Sequence, residues 1–315
     1  MRTSLQTLSF IVLSSVVVNH AEAGLIYGNN IDLGVIKQFN PTTSVGSTSS
    51  LSNAQAISGL AADDANQRLY VSFGPGGTST SQVNNVFTYD YNGNLLTSVR
   101  TANSSNNGLG WNGLTYGNGT LYGVRSNGTT GIAGIYSIAP TTGVNSLFAT
   151  LAIPSSSGQV FYNFTDIEYD AANSRFIGIA TNVLGPGGTS AGLYSIVAGA
   201  SPTILATVSL LAGVPSGGPL TSGGNPVTPS GIALNAQTVY LTWDSVGTVA
   251  RYSLSDNAYL SNLTGPTQAS NGASGDAAWS NSFVGIIPEP TMLGLIPTAA
   301  VFLTRRGRRR TSITG

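Results

Sequence analysis

The 315-residue chain predicts an all-β fold: a five-bladed β-propeller-like body of four-stranded antiparallel blades, closed by N- and C-terminal strands and followed by a C-terminal hydrophobic helix. Three observations carry this. One short apolar phrase returns five times. Strand-like phrases joined by Gly-, Asn- and Ser-containing turns fill the space between its copies. The last copy is cut short, and unclaimed strand phrases stand at the other end of the body.

The recurring phrase is Gly59-Leu60-Ala61-Ala62-Asp63, Gly113-Leu114-Thr115-Tyr116-Gly117, Asp166-Ile167-Glu168-Tyr169-Asp170, Gly231-Ile232-Ala233-Leu234-Asn235 and Asp276-Ala277-Ala278-Trp279-Ser280, with starts 54, 53, 65 and 45 residues apart. A second strand phrase follows each: Leu69–Ser72, Leu121–Val124, Phe176–Ile179, Val239–Thr242 and Phe283–Ile286. Third strands come at Val86–Tyr89, Ile135–Ile138, Leu193–Ile196 and Arg251–Leu254, alternating apolar and polar residues as half-buried strands do. Fourth strands are expected at Leu95–Val99, Leu147–Leu151, Ile204–Val208 and Tyr259–Leu263, after turns such as Asn92-Gly93 and Thr142-Gly143.

Four antiparallel strands per unit of about fifty residues describe a propeller blade, which buries its faces only by packing on neighbours. The fifth unit stops after Phe283–Ile286, so its missing pair is expected from Val35–Phe39 and Ser44–Ser47, with Leu25–Gly28 a competitor for its second strand. Closure of this kind removes the exposed edge of an open sheet. The Gly-Leu-Ala phrase ahead of a Leu-Tyr phrase resembles the loose propeller-like repeats of exported bacterial proteins.

Composition limits the chemistry. Residues 24–287 contain no Cys and no His, because the one histidine is His20. A Ser-His-Asp triad, a Cys nucleophile and His-ligated zinc or iron are therefore unavailable to this segment. The same residues hold six Lys/Arg against ten Asp/Glu, a net charge of −4, which speaks against nucleic acid as a partner. Gly74-Pro75-Gly76-Gly77-Thr78-Ser79 and Gly185-Pro186-Gly187-Gly188-Thr189-Ser190 lack the lysine of a phosphate loop and read as equivalent loops between second and third strands. Ala212–Pro226 reads as a longer loop of the same kind.

Carboxylates remain. Asp166, Glu168 and Asp170 alternate along one strand and should share a face. Set on the strand that lines the axial channel, they form a candidate site for a hard cation such as calcium, or for acid–base work on a sugar. The competing expectation is that Asp166 and Asp170 end the strand in turns and Glu168 is solvated. Asp63, Asp244 and Asp276 are isolated candidates for the same channel, and Trp111, Tyr116, Trp243 and Trp279 are candidate sugar-stacking residues that more often serve as core.

The two ends speak of transport. Met1-Arg2, an apolar run over Leu8–Val18, and Ala21-Glu22-Ala23 predict a signal peptide over residues 1–23, cut by signal peptidase before Gly24, with Ala21 and Ala23 as the small residues read at the site. At the other end stand Pro288-Glu289-Pro290, an apolar stretch over Thr291–Thr304, and a basic cluster of Arg305, Arg306, Arg308, Arg309 and Arg310, with residues 311–315 as a tail. Fourteen helical residues cover about 21 Å against a hydrocarbon layer of roughly 30 Å. Pro297 weakens the helix midway. Such a segment spans marginally, with its arginines held cytoplasmic and residues 24–287 outside. The two prolines keep the tripeptide extended.

This order of tripeptide, short apolar segment and arginine cluster over residues 288–310 resembles the PEP-CTERM sorting signal, with Thr291 a departure from the small residue usual after the tripeptide. The resemblance implies an exosortase as processing partner, with this chain as its substrate. It also implies passage through an inner-membrane intermediate to the cell surface or extracellular matrix. The expected role of the body, residues 24–287, is structural or binding within an exopolysaccharide layer, without a cofactor unless calcium binds. The alternative is a carboxylate-dependent enzyme acting on polysaccharide.

Overall fold

The computed structural model describes residues 24–28, 35–42, 46–52, 57–73, 85–101, 110–125, 133–155, 158–181, 191–199, 205–243, 246–264 and 276–283. The expected signal peptide, sorting signal and C-terminal helix lie outside these residues, as do both Gly-Pro-Gly-Gly loops and Asp244. Among the described residues no helix is long and apolar enough to cross a membrane.

The body is an all-β, five-bladed propeller. Strands β1 (Gly24–Gly28), β2 (Val35–Phe39) and β3 (Gly46–Ser50) open the chain. The first complete blade is β4 (Ile57–Asp63), β5 (Arg68–Phe73), β6 (Asn85–Asp90) and β7 (Leu95–Arg100). The second is β8 (Gly113–Gly117), β9 (Thr120–Arg125), β10 (Gly134–Ile138) and β11 (Asn145–Thr150). A hairpin, β12 (Ala152–Ser155) with β13 (Gly158–Phe161), precedes the third blade and has no counterpart among the strands expected from the repeat. The third blade is β14 (Asn163–Asp170), β15 (Arg175–Thr181), β16 (Gly192–Val197) and β17 (Thr207–Gly213). The fourth is β18 (Gly231–Asn235), β19 (Thr238–Trp243), β20 (Val246–Ser253) and β21 (Ala258–Thr264). β22 (Asp276–Ser280) then joins β1, β2 and β3 in a sheet of order β22-β1-β2-β3.

The recurring phrase is the innermost strand of every blade. Its two faces pack against the two neighbouring blades, so it is apolar on both sides rather than alternating. In the first complete blade, Leu60 packs back toward Ile26 and Ile36 of the closing blade. Its neighbour Ala61 packs forward against Trp111 and Leu114 of the second blade. Five apolar clusters fill the five interblade spaces, and the last joins Ala233 and Tyr240 to Leu25, Phe39 and Ala277. The outermost strands carry exposed polar residues, as the rim requires.

Two assignments are corrected. The second strand of the closing blade is β1, with Leu25 opposite Trp279 and Gly28 opposite Asp276, in place of Phe283–Ile286. The blade is thus closed by one C-terminal and three N-terminal strands. Phe283 lies beyond the strand as a buried plug against Tyr91, with ring centroids 5.2 Å apart, and Val284–Ile286 lie outside the described residues. The fourth strand of the third blade starts at Thr207 rather than Ile204, and so takes in Ala212 and Gly213 from the expected loop. The reason is a competing partner: Leu205 bridges Thr150 of the second blade, and the Ala206 amide donates to the Thr150 carbonyl at 2.9 Å.

Candidate functional site

An innermost strand has one neighbour, so half of its backbone amides point at the axis without a ladder partner. At one level of the axis those amides belong to Leu60, Leu114, Ile167, Ile232 and Ala277, the second residue of each copy of the phrase. Two carboxyls receive all five. Asp276 Oδ1 accepts from Ala277 N–H at 2.8 Å, and its Oδ2 from Leu60 N–H and, at 3.4 Å, from Leu114 N–H. Asp166 Oδ1 accepts from Ile167 N–H and Oδ2 from Ile232 N–H, both at 2.7 Å. Asp166 and Asp276 also hydrogen-bond each other across the axis. Every blade is therefore tied to one pair of acids.

Both side chains are buried, at 0% and 1% exposure, so two full negative charges cannot persist side by side. Burial, and then the charge of Asp276, hold Asp166 well above the usual carboxylate range. Burial pushes Asp276 up to about 7 despite its hydrogen bonds. Asp276 accepts three amides and Asp166 two, so once pH passes about 7 the remaining proton belongs on Asp166 and the charge on Asp276. The remaining copies carry Gly59, Gly113 and Gly231 at the Asp position. At Gly113 a Cβ would stand 2.2 Å from Asp166 Oδ1, so this glycine makes the room the acid occupies.

Glu168, two residues along β14, sits at the next level. Thr115 Oγ1 donates to its Oε2 at 2.6 Å, the amides of Tyr169 and Trp279 also reach it, and burial raises it to about 8. Asp170 is not part of this set. It accepts from Asn173 in the β14–β15 turn and pairs with Arg175 at 2.9 Å. The expected trio is thus divided. Asp166 meets Asp276 rather than ending in a turn, Glu168 meets Thr115 and is buried rather than solvated, and Asp170 alone closes a turn, the alternative expected for it. Asp63 likewise serves its own turn, accepting from Asn66, and is no channel residue. Among the described residues, no group of three Asp, Glu, His or Cys is placed to hold a metal ion.

A second cluster, unforeseen from sequence, fixes the end of the body. Asp64 Oδ1 accepts from Tyr91 at 2.6 Å, from Ser282 Oγ at 3.1 Å and from Ser280 Oγ, while Oδ2 accepts Asn281 N–H at 2.7 Å. Partial burial works to raise Asp64, but these donors outweigh it and hold the group below its ordinary value. Gln38 Nε2 donates to the Phe283 carbonyl. Residues 280–283 are thus bolted to the first and closing blades, five residues before Pro288.

The aromatic candidates separate. Trp111 and Trp243 are core, at 1% and 2% exposure, and offer no stacking platform. Trp279 is half-buried and stacked on Tyr240 at 5.1 Å. Tyr116 is half-buried and, with Tyr70 at 5.5 Å, lines an open groove of about 390 Å³.

No known family profile matches the chain, and no curated protein matches it. Solved structures do. A chain of the nidogen/laminin complex is similar at 12% identity and a TM-score of 0.46, covering 83% of this chain and 100% of that one. A gluconolactonase from Xanthomonas campestris is similar at 15% identity and a TM-score of 0.44, over 80% of each chain. The Swd1 β-propeller domain from Myceliophteria thermophila is similar at 11% identity and a TM-score of 0.40, over 78% of this chain and 84% of that one.

Proposed function

We propose that this is an exported propeller, delivered through a PEP-CTERM-like signal to an exosortase and placed at the cell surface or in an exopolysaccharide matrix, where it has a structural or binding role. Delivery rests on the sequence over 288–310. The observation that carries the non-enzymatic role is the state of the axial acids. Their oxygens already accept the amides of all five blades, which suits a hub that closes the ring. A general acid or nucleophile needs an oxygen facing a substrate.

Mass spectrometry of the mature protein tests the delivery. The expected C-terminus lies at or beside Pro288–Pro290. A mature chain that retains Arg305–Arg310 defeats the sorting reading in favour of a plain anchor.

The close pairing of two buried acids, with Asp166 held well above the usual carboxylate range by burial and by the charge of Asp276, is what favours the second reading, a carboxylate-dependent enzyme acting on polysaccharide. Turnover of a polysaccharide that Glu168→Gln or Asp166→Asn abolishes with folding intact would install that reading instead.

A further inference from the structure

Arg125 ends β9, and its environment is built residue by residue. Gly123 and Arg125 lie on the same face of that strand. A Cβ on Gly123 would stand 2.5 Å from the Trp111 ring, so the missing side chain lets the indole lie flat on the strand. The Arg125 guanidinium then stacks over that indole, its carbon 3.9 Å from the ring centroid, with the Tyr136 ring 5.6 Å away.

Stacking uses the face of the guanidinium and leaves the Nε and Nη2 donors in its plane unspent. Arg125 is 3% exposed, and its Nε and Nη2 are buried with no hydrogen-bond partner. Trp111 Nε1, in the next layer of the same stack, is buried and unpartnered as well. No described carboxylate compensates the charge. Asp64 holds the C-terminal bolt, Asp170 holds Arg175, and the axial acids hold amides. Asp63, Asp90 and Asp256 are committed to their own turns. In sequence, the stretches 102–110 before Trp111 and 126–133 after Arg125 contain no Asp or Glu. A buried guanidinium without an anion carries a desolvation cost that an aromatic stack offsets only in part.

We infer that Arg125 and Trp111, between the first two complete blades, form a binding site for a single carboxylate carried by a sugar acid. Nε and Nη2 make up the side edge of the guanidinium, whose two parallel N–H bonds match the two oxygens of a planar carboxylate. Both faces of the Trp111 indole are taken, by Gly123 and by the guanidinium, so Trp111 offers its N–H instead, and a sugar acid carries hydroxyl oxygens beside its carboxylate that can accept from it. The net charge of −4 over residues 24–287 works against a polyanionic peptide, whereas a sugar acid brings one charge per ring. The inference deepens the proposed binding role, and it is independent of how the C-terminal signal is processed. Its failure would leave the mature-terminus measurement standing.

Thermal unfolding and calorimetric titration of the exported protein with sodium glucuronate test it. Glucose serves as the neutral control and a peptide ending in Glu-Glu as the protein-like one. Glucuronate is expected to raise Tm saturably, and glucose to leave it unchanged. Arg125→Met should abolish the shift while unfolding no lower than the parent, because an uncompensated charge has been removed. Trp111→Phe keeps the stack but loses the indole N–H and should weaken binding about tenfold. Arg125→Lys, which keeps the charge without the fork, should weaken it by a similar factor and keeps the test open if Arg125→Met does not fold. The inference falls if glucuronate produces no shift, if Arg125→Met or both gentler variants bind it as well as the parent, or if glucose or the peptide binds as well as glucuronate.

Discussion

Gly113 is the residue on which the axial pair depends most directly. Any Cβ there meets Asp166 Oδ1 at 2.2 Å and Asp166 Cα at 2.7 Å. Gly113→Ala must therefore push β14 away from β8 or displace a carboxyl that holds two amides. We expect it to destabilise the protein by roughly 1–3 kcal/mol, measured by denaturant unfolding. A neutral result would mean that the inner strands slide freely, against the hub described above. The pairing of Asp166 with Asp276 was only half legible. Both acids stood out as channel candidates, but nothing in a one-dimensional pattern tells that two strands from non-adjacent blades face each other across an axis. Arg125 was missed for a related reason. One Arg at a strand end is unremarkable until the fold brings an indole beneath it and no described carboxylate beside it.

At the scale of the element, the turns between first and second strands show how one geometry is met by different residues. The β8–β9 turn places Asn118 and Gly119 at φ 49° and 77°, conformations these residues accept readily. The β18–β19 turn asks the same of exposed Ala236, at φ 51°. An L-residue with a Cβ resists that region by roughly 1–2 kcal/mol, and glycine returns part of this as extra freedom in the unfolded chain. Ala236→Gly should therefore raise stability by about 0.5–1 kcal/mol, read as a higher urea midpoint with an unchanged slope. Strands with clear alternation or double-sided burial were found close to their true limits, among them β8, β18 and β22. The failures occurred where two apolar phrases competed for one partner. Leu25–Gly28 and Phe283–Ile286 are equally strand-like in composition, and only the pairing of β1 with both β22 and β2 decides between them.

At the scale of the whole molecule, the buried acids set the response to pH. In the unfolded chain Asp276 and Glu168 lose their protons near pH 4, whereas in the ring they keep them to about 7 and about 8. The folded state binds more protons across that window, so stability is greatest at its acid end. It declines as pH rises from 4 to 8, by an amount on the order of a few kcal/mol. Asp64 opposes this only at the acid extreme, because its value is lowered and its contribution disappears as pH falls below about 4. Chemical denaturation from pH 4 to pH 8 should show this decline, and Glu168→Gln should flatten its upper part. A parent protein whose stability rises steadily to pH 8 would show that these acids are ionised in the ring.

By itself the sequence determined the blade count, the inner-strand phrase and the meeting of the two ends in one sheet. These follow from local periodicity and from a repeat that cannot bury its faces alone. It also carries the transport expectations at both ends. Only the tertiary structure decided which N-terminal strand completes the last blade, and which oxygens receive the five axial amides. Only it left a guanidinium buried with no described carboxylate to pair it. The first two are settled by neighbours that are remote in sequence, Leu25 from Trp279 and Leu60 from Asp276, and chain order holds no record of such distances until the ring has closed.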